Sequence, residues 1–418
     1  MCHINNWHRL LDRGLFLCND VFTGRFHLFK LRPHQQRACD AMAENVKGTV
    51  LIPTGGGKTM CMISNCTDTF QDTTDALIVV VAPRILLAQQ LCSEFMEHLT
   101  NVSVLHVHSG ETHYFSTTNP KQISKWTKYV KGNKIIFTTY HSLHRIQEAE
   151  VYVNTIYFDE AHNSVQRQFF PPTEHYSSEG SDKCFFFTAT RKTSVTINKP
   201  GMNDNEVYGD VICRVSAPEL VRGGYIVPPK VSVKKMSMVN DKSIHPDVDC
   251  GNVLETIDDQ DIKKILVCVK TSKQLVNLMS HTDFSQQLKA RGYSFLYITS
   301  KTGAVVDGKK VNREQFFETL NTWGKDPSKK FVVLHRSILS EGINVSELEA
   351  VIFLRNMSVI EMTQTIGRVV RTGSQSKTFG LCIVPVYSKV GIATEKALQN
   401  VVDTVFQKGE MLDSVVRR

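Results

Sequence analysis

The stretch Val50–Met60 reads VLIPTGGGKTM. An apolar run ends at Pro53, three glycines follow, and Lys58 and Thr59 come next. Glycines let the backbone curl so that successive N–H groups point inward at an anion. A helix starting after Lys58 adds the positive end of its dipole. Lys58 is expected to reach the β- and γ-phosphates of a nucleotide, and the Thr59 hydroxyl to take one position on Mg²⁺. Pro53, Thr54, Gly55, Gly56, Gly57, Lys58 and Thr59 therefore form the expected phosphate cradle. The strict G-x-x-x-x-G-K-[ST] pattern fails only at its first place, which is Ile52.

Such a site needs a carboxylate at the tip of a second strand. YFDEAH supplies it, because Asp159 and Glu160 directly follow the apolar VNTIYF. Asp159 is expected to hold Mg²⁺ through water, and Glu160 to orient the attacking water. Alone, an Asp-Glu pair after a strand is better explained as a helix N-cap; the phosphate loop upstream reverses that preference. Near the other end, QTIGRVVRTG places Gln364, Arg368 and Arg371 at i, i+4 and i+7, on one face of a helix. Set among Ile366, Val369 and Val370, that face suits an anion, and planar guanidinium groups suit a γ-phosphate better than lysine does.

The rest of the chain frames these stretches. Thr49–Pro53, Ala76–Ala82, Lys134–Thr139, Val153–Phe158 and Lys183–Thr188 read as buried strands, near-continuous in hydrophobicity as a parallel sheet requires. Helix-patterned segments lie between them, the clearest running from Pro83 to Leu99. RGGYIVPPK (Arg222–Lys230) breaks the rhythm, and the polar, acidic stretch after it reads as a linker. Strands then resume at Ile265–Val269, Tyr293–Thr299, Phe331–Leu334, Ala350–Leu354 and Phe379–Pro385. The expectation is an α/β protein with two tandem domains and parallel sheets: an extension over 1–25, a first domain over 26–220, a linker over 221–260 and a second domain over 261–418.

With 41% apolar and 22% charged residues over 418 positions, the chain has the composition of a globular protein with two cores. No apolar run reaches the roughly 20 residues of a membrane span. A soluble, intracellular protein is expected, in the cytoplasm, at the nucleoid or at a viral replication site, with no membrane partner. The 11 cysteines form no CxxC pair and are read as buried thiols. His106 and His108 lack a third ligand and are read as a chance pair rather than a metal site. The net charge of +8 favours a polyanionic partner without proving one. KQISKWTKYVKGNK carries Lys121, Lys125 and Lys128 at helical spacing, with Trp126 and Tyr129 between them. A solvated face with both aromatics turned inward is the expected reading, ahead of a nucleic-acid surface.

Taken in order, these stretches resemble a superfamily 2 helicase with a DEAH-type box. LRPHQQ around Gln35 resembles the adenine-reading segment, PTGGGKT motif I, APRILLAQQ around Arg84 motif Ia, and DEAH (Asp159–His162) motif II. TAT (Thr188–Thr190) is similar to motif III, ILVCVKT to motif IV, SEGIN to motif V and QTIGRVVR to motif VI. Within the superfamily the chain looks closest to the motors of type III restriction enzymes and to the UvsW-like branch-migration helicases. The resemblance implies two RecA-like domains with ATP and Mg²⁺ in the cleft between them, and nucleic acid, DNA ahead of RNA, lying across both. It adds Gln35, Gly342 and Asn344 to the nucleotide site. It gives Arg84, Thr139 and Thr271 to the nucleic-acid backbone, and makes His162, Thr188 and Thr190 the relay between the two. A monomer in isolation is expected. Asn344 departs from the aspartate usual in motif V, and no nuclease motif accompanies the motor.

Overall fold

The computed structural model describes residues 30–110, 112–196, 198–260, 262–299, 302–336, 347–372 and 377–416, and two short antiparallel strands, β1 (Cys18–Asn19) and β2 (Phe26–His27). Gly342 and Asn344, and nearly all of the extension expected over 1–25, lie outside the described residues.

Seven strands build the first sheet: β3 (Lys47–Leu51), β4 (Leu77–Ala82), β5 (Ser103–Val107), β6 (Lys134–Thr139), β7 (Val153–Phe158), β8 (Ser181–Thr188) and β10 (Val211–Arg214). They lie in the order β10-β3-β8-β7-β4-β6-β5, and every pairing is parallel. All six residues of β4 and of β6 are buried, which is why these strands read as unbroken apolar runs rather than alternating ones. Because the strands are parallel, all their C-terminal ends reach one rim, the usual place for a ligand crevice in an open α/β sheet.

The second sheet runs β11-β18-β17-β12-β16-β13-β14-β15. Its parallel strands are β11 (Pro229–Lys235), β12 (Lys264–Cys268), β13 (Ser294–Thr299), β16 (Phe331–His335), β17 (Ala350–Phe353) and β18 (Gly380–Val386). An antiparallel hairpin, β14 (Gly303–Val306) and β15 (Lys309–Val311), closes one edge. Its two-residue turn, Asp307-Gly308, has φ of 48° and 85°, the left-handed pair that a tight hairpin of this kind requires.

The stretch read as a linker is folded. Pro229–Lys235 is the edge strand beside β18, and His245–Gln260 is a helix of the second unit, with Val253 and Ile257 in its core. The paired prolines and the acidic composition hid both elements. Proline is tolerated at the start of an edge strand, and Asp247, Glu255, Asp258 and Asp259 lie on the solvent side of the helix, while Asp249 is buried and accepts from Tyr387 and Gln274. After the helix Lys389–Val401 and a wide turn at Val402–Gln407, the chain returns to the first unit. There β19 (Ser414–Val416) pairs in parallel with β9 (Lys192–Ser194), and Arg191 grips Asp413 at 2.8 and 3.3 Å. The two units are thus joined twice, at Tyr225–Val227 and by this C-terminal segment.

Candidate nucleotide site between the two sheets

A cavity of about 540 Å³ opens between the units. Its floor is the turn after β3. Gly55 and Gly57 hold φ of 90° and 81° there, and the helix Lys58–Asp72 springs from Gly57. A side chain at Gly57 would put its Cβ 2.3 Å from Gln35 Nε2, so glycine is demanded by space as well as by φ. Pro53, Thr54, Gly55, Gly57, Lys58 and Thr59 line the cavity. Gly56 does not: its Cα faces Ile52 and Leu220. Nor does Gln35, which is buried behind the loop. Its Nε2 donates to Gly57 O at 3.2 Å and its Oε1 accepts from Arg32 N at 2.8 Å, while His34 Nε2 lies 2.7 Å from Gly56 O. In this arrangement Gln35 braces the loop instead of forming the cavity wall.

Opposite Lys58 stand the two carboxylates at the end of β7. Glu160 adopts φ 47°, ψ 53°, a left-handed conformation that costs a non-glycine residue on the order of 1 kcal/mol. The reversal brings Glu160 Oε1 to 3.4 Å from Lys58 Nζ. Burial opposes the Glu160 charge, but Lys58, His162 and Gln364 outweigh it and hold the carboxyl below its usual range. Asp159 goes the other way: burial first, then the Glu160 charge, push it up. The Asp159 carboxyl and the Thr59 hydroxyl line the same cavity, and such oxygen donors fit a hard divalent cation. Among the described residues no cluster of three or more His, Cys, Asp or Glu could hold a metal alone.

His162 is buried and its pKa is lowered, chiefly by burial. Its Nδ1 lies 3.0 Å from Thr188 Oγ1, and Thr188 in turn donates to Thr190 O at 3.0 Å. With that hydroxyl proton committed, Nδ1 must be the donor, and Nε2 accepts from Asn163 Nδ2 at 3.3 Å. The three expected relay residues are therefore one hydrogen-bonded chain at the end of β8, and His162 Nδ1 lies 3.6 Å from Glu160 Oε2.

The second unit presents the helix Val359–Val369, started by a capping box between Ser358 and Glu361. Gln364, Arg368 and Arg371 line the same cavity as Lys58, and Gln364 favours the ionised Glu160 from across the cleft. The approach is close: a Cβ on Gly367 would sit 2.4 Å from Thr54 Cβ. Burial and the neighbouring Arg371 lower the Arg368 guanidinium to about 9, and burial lowers Arg371 as well. Arg371 also forms an isolated antiparallel bridge with Ile226, and Val227 N donates to Val370 O at 2.7 Å. The crossing strand thus fixes the arginine helix against the first unit.

Among the wall residues not assigned from sequence, an arginine and a tyrosine stand out. Arg32 and Tyr225 lie on the cavity wall, with the guanidinium 4.6 Å from the ring centroid. Arg32 belongs to LRPHQQ and could have been singled out there. Tyr225 is hidden within a turn-rich stretch. Of the three expected backbone-contacting residues, Arg84 caps the helix Ile85–Met96 and lines this same cavity. Thr139 is buried at the end of β6, its hydroxyl 3.4 Å from Ser142 Oγ. Thr271 is exposed at the end of β12, where it caps the helix Ser272–Ser280.

Residues 28–193 match the family model described as "Type III restriction enzyme, res subunit", and residues 250–373 match "Helicase conserved C-terminal domain". The chain is a superfamily 2 helicase related to type III restriction motors. Its two sheets are the tandem RecA-like domains of that family. Among solved structures, the helicase is similar to "ATP-dependent Type ISP restriction-modification enzyme LlaBIII bound to DNA", with a TM-score of 0.72 and 18% identity over 96% of this chain and 32% of that one. It is also similar to a nuclease-deletion mutant of the Type ISP enzyme LlaGI in complex with a DNA substrate mimic, with a TM-score of 0.63 and 20% identity over 89% of this chain and 28% of that one. At these identities the likeness is one of fold, and the helicase spans about a third or less of those longer chains. No curated protein matches by sequence. Among the described residues no helix is long and apolar enough to cross a membrane. The nine cysteines described are free and buried, and His106 and His108 contact each other at 2.9 Å.

Proposed function

We propose that this helicase hydrolyses ATP to move along DNA and to remodel or unwind it. The observation that carries the reading is the convergence of Lys58, Asp159 and Glu160 from one unit with Gln364, Arg368 and Arg371 from the other in a single cavity. Neither unit alone makes both walls. Lys58 and the loop N–H groups bind phosphates. Thr59 and Asp159 would hold Mg²⁺, which screens phosphate charge when bound. Glu160 sits where it can orient a water and take its proton, while Arg368 and Arg371 offset charge that develops on the transferred group. Because the arginines approach from the second unit, closure assembles the site and hydrolysis releases it. His162, Thr188 and Thr190 would relay the state of the site, and Arg84 beyond β4 and Thr271 beyond β12 would touch a sugar-phosphate backbone. DNA is preferred as the track because both structural relatives were solved with DNA or a DNA mimic.

The test is ATP turnover measured against single-stranded, duplex, forked and four-way-junction DNA and against RNA, at one fixed salt concentration. Stimulation by one or more of the DNAs beyond RNA is expected. Glu160→Gln should retain ATP binding while losing at least about a hundredfold in turnover, roughly 2.7 kcal/mol of barrier. Turnover surviving within about tenfold would remove Glu160 from its role.

A further inference from the structure

From Thr112 to Gln147 the sequence contains no aspartate or glutamate, yet it carries Lys121, Lys125, Lys128, Lys131, Lys134 and Arg145. Three of these cations have neighbours that explain them. Lys134 is buried against Asp75, Lys131 lies within the field of the same carboxylate, and Arg145 pairs with Glu148 at 3.0 Å. Lys121, Lys125 and Lys128 remain, exposed at i, i+4 and i+7 on the helix Pro120–Tyr129 and without an ion pair among the described residues. The opposite face is ordinary core, with Ile123 buried and Trp126 packed against the first unit's cluster.

Tyr129 does not follow Trp126 inward. Its side chain is 68% exposed, and Lys128 Nζ lies 5.7 Å from its ring centroid. The loop leading into the helix exposes two more rings, Tyr114 at 43% and Phe115 at 52%. That loop begins where β5 ends, on the rim shared with Arg84 and Thr139, and the neighbouring β6 starts at the opposite rim. The helix therefore leads away from the rim along the outside of the first unit. A merely solvated face would mix both charge signs and bury its aromatic rings.

We propose that this face is an auxiliary track for single-stranded nucleic acid leaving the motor, with phosphates on Lys121, Lys125 and Lys128 and bases stacked on Tyr129 and the loop rings. The inference rests on the nucleic-acid reading above and adds a site outside the ATP cleft. Lysine contacts supply salt-dependent affinity without reading sequence. Exposed aromatic rings favour unpaired bases, whose faces a duplex keeps stacked.

The experiment is fluorescence anisotropy of the full chain with labelled single strands of about 40 and about 10 nucleotides over a salt series. The triple variant Lys121→Ala/Lys125→Ala/Lys128→Ala should bind the long strand about tenfold more weakly near 0.1 M salt. Its slope of log affinity against log salt should become shallower by about 2, from roughly 0.7 per lost phosphate contact. The short strand, the melting temperature and ATP turnover without nucleic acid should not change. Tyr129→Ala should weaken long-strand binding about fivefold or more with the slope unchanged. If the triple variant matches wild type in long-strand affinity and slope, the track is wrong while the motor reading stands. If Tyr129→Ala is silent and duplex binding falls as much as single-strand binding, the face is a general phosphate patch and the single-strand assignment is overturned. If wild type binds no nucleic acid, both readings fall.

Discussion

The two walls of the ATP cleft handle charge differently. On the first unit, cation and anion answer each other: Lys58 meets Glu160 at 3.4 Å, and Glu160 is held ionised despite its burial. On the second unit two guanidinium groups are buried side by side, and Arg368 is lowered to about 9 by burial and by Arg371. One wall closes an ion pair of its own before nucleotide arrives, whereas the other brings two like charges together, favoured by Glu160 and Glu94 from across the cleft. A transition state that spreads negative charge over the γ-phosphoryl oxygens suits that pair of guanidinium groups best. The first wall is therefore expected to govern binding, and the second to govern the rate.

The sharpest way to break this contrast is Arg371→Ala. Turnover should fall by about a thousandfold or more while affinity for a non-hydrolysable ATP analogue stays within a few-fold. Equal losses in both would mean the arginine wall binds substrate and product-like states alike. Lys58→Ala should do the reverse at the binding step, weakening analogue affinity by at least about a hundredfold, read by equilibrium titration. Unchanged affinity would remove the first wall from its role.

Gly367→Ala probes how closely the walls must approach. Its new Cβ would sit 2.4 Å from Thr54 Cβ. The cleft should be wedged open, raising the ATP concentration for half-maximal turnover about 10- to 30-fold, which is about 1.4–2 kcal/mol. Thr54→Gly in the same chain should recover part of the loss.

The smallest effect concerns His335, buried at the end of β16 with Nε2 3.2 Å from Cys268 Sγ. Burial first, then Arg355 and Arg368, lower its pKa to about 3. Between that value and the unfolded value near 6.5, the unfolded chain binds more protons than the folded one. Stability is therefore complete above pH 6.5 and falls as pH drops. From pH 8 to pH 6 this histidine should cost about 0.8 kcal/mol in denaturant unfolding, and His335→Gln should flatten that slope.

The places where sequence reasoning stopped short are instructive. Trp126 and Tyr129 are three residues apart on one helix, and spacing alone sent both inward. The helix ends at Tyr129, so its ring lies beyond the core that Trp126 reaches. The β14–β15 hairpin was legible in Asp307-Gly308 between two short β-rich runs and was passed over among longer strands. The edge strand Pro229–Lys235 was masked by prolines that are harmless where no ladder donor is needed. Thr139 closes a strand that reads as buried, and it stays buried, with its hydroxyl 3.4 Å from Ser142 Oγ.

What the sequence determined by itself is the chemistry carried by short stretches. Glycines at 55–57 before Lys58 and Thr59, and Asp159-Glu160 after an apolar strand, dictate their local backbone through steric freedom and strand propensity, wherever the rest of the chain goes. The tertiary structure alone decided what meets across distance. It placed Gly367 against Thr54, Gln364 against Glu160, Tyr225 beside Arg32, and the returning β19 beside β9. Those contacts join residues far apart in the chain, and they form only when the two sheets settle against each other, where one apolar cluster runs through both units.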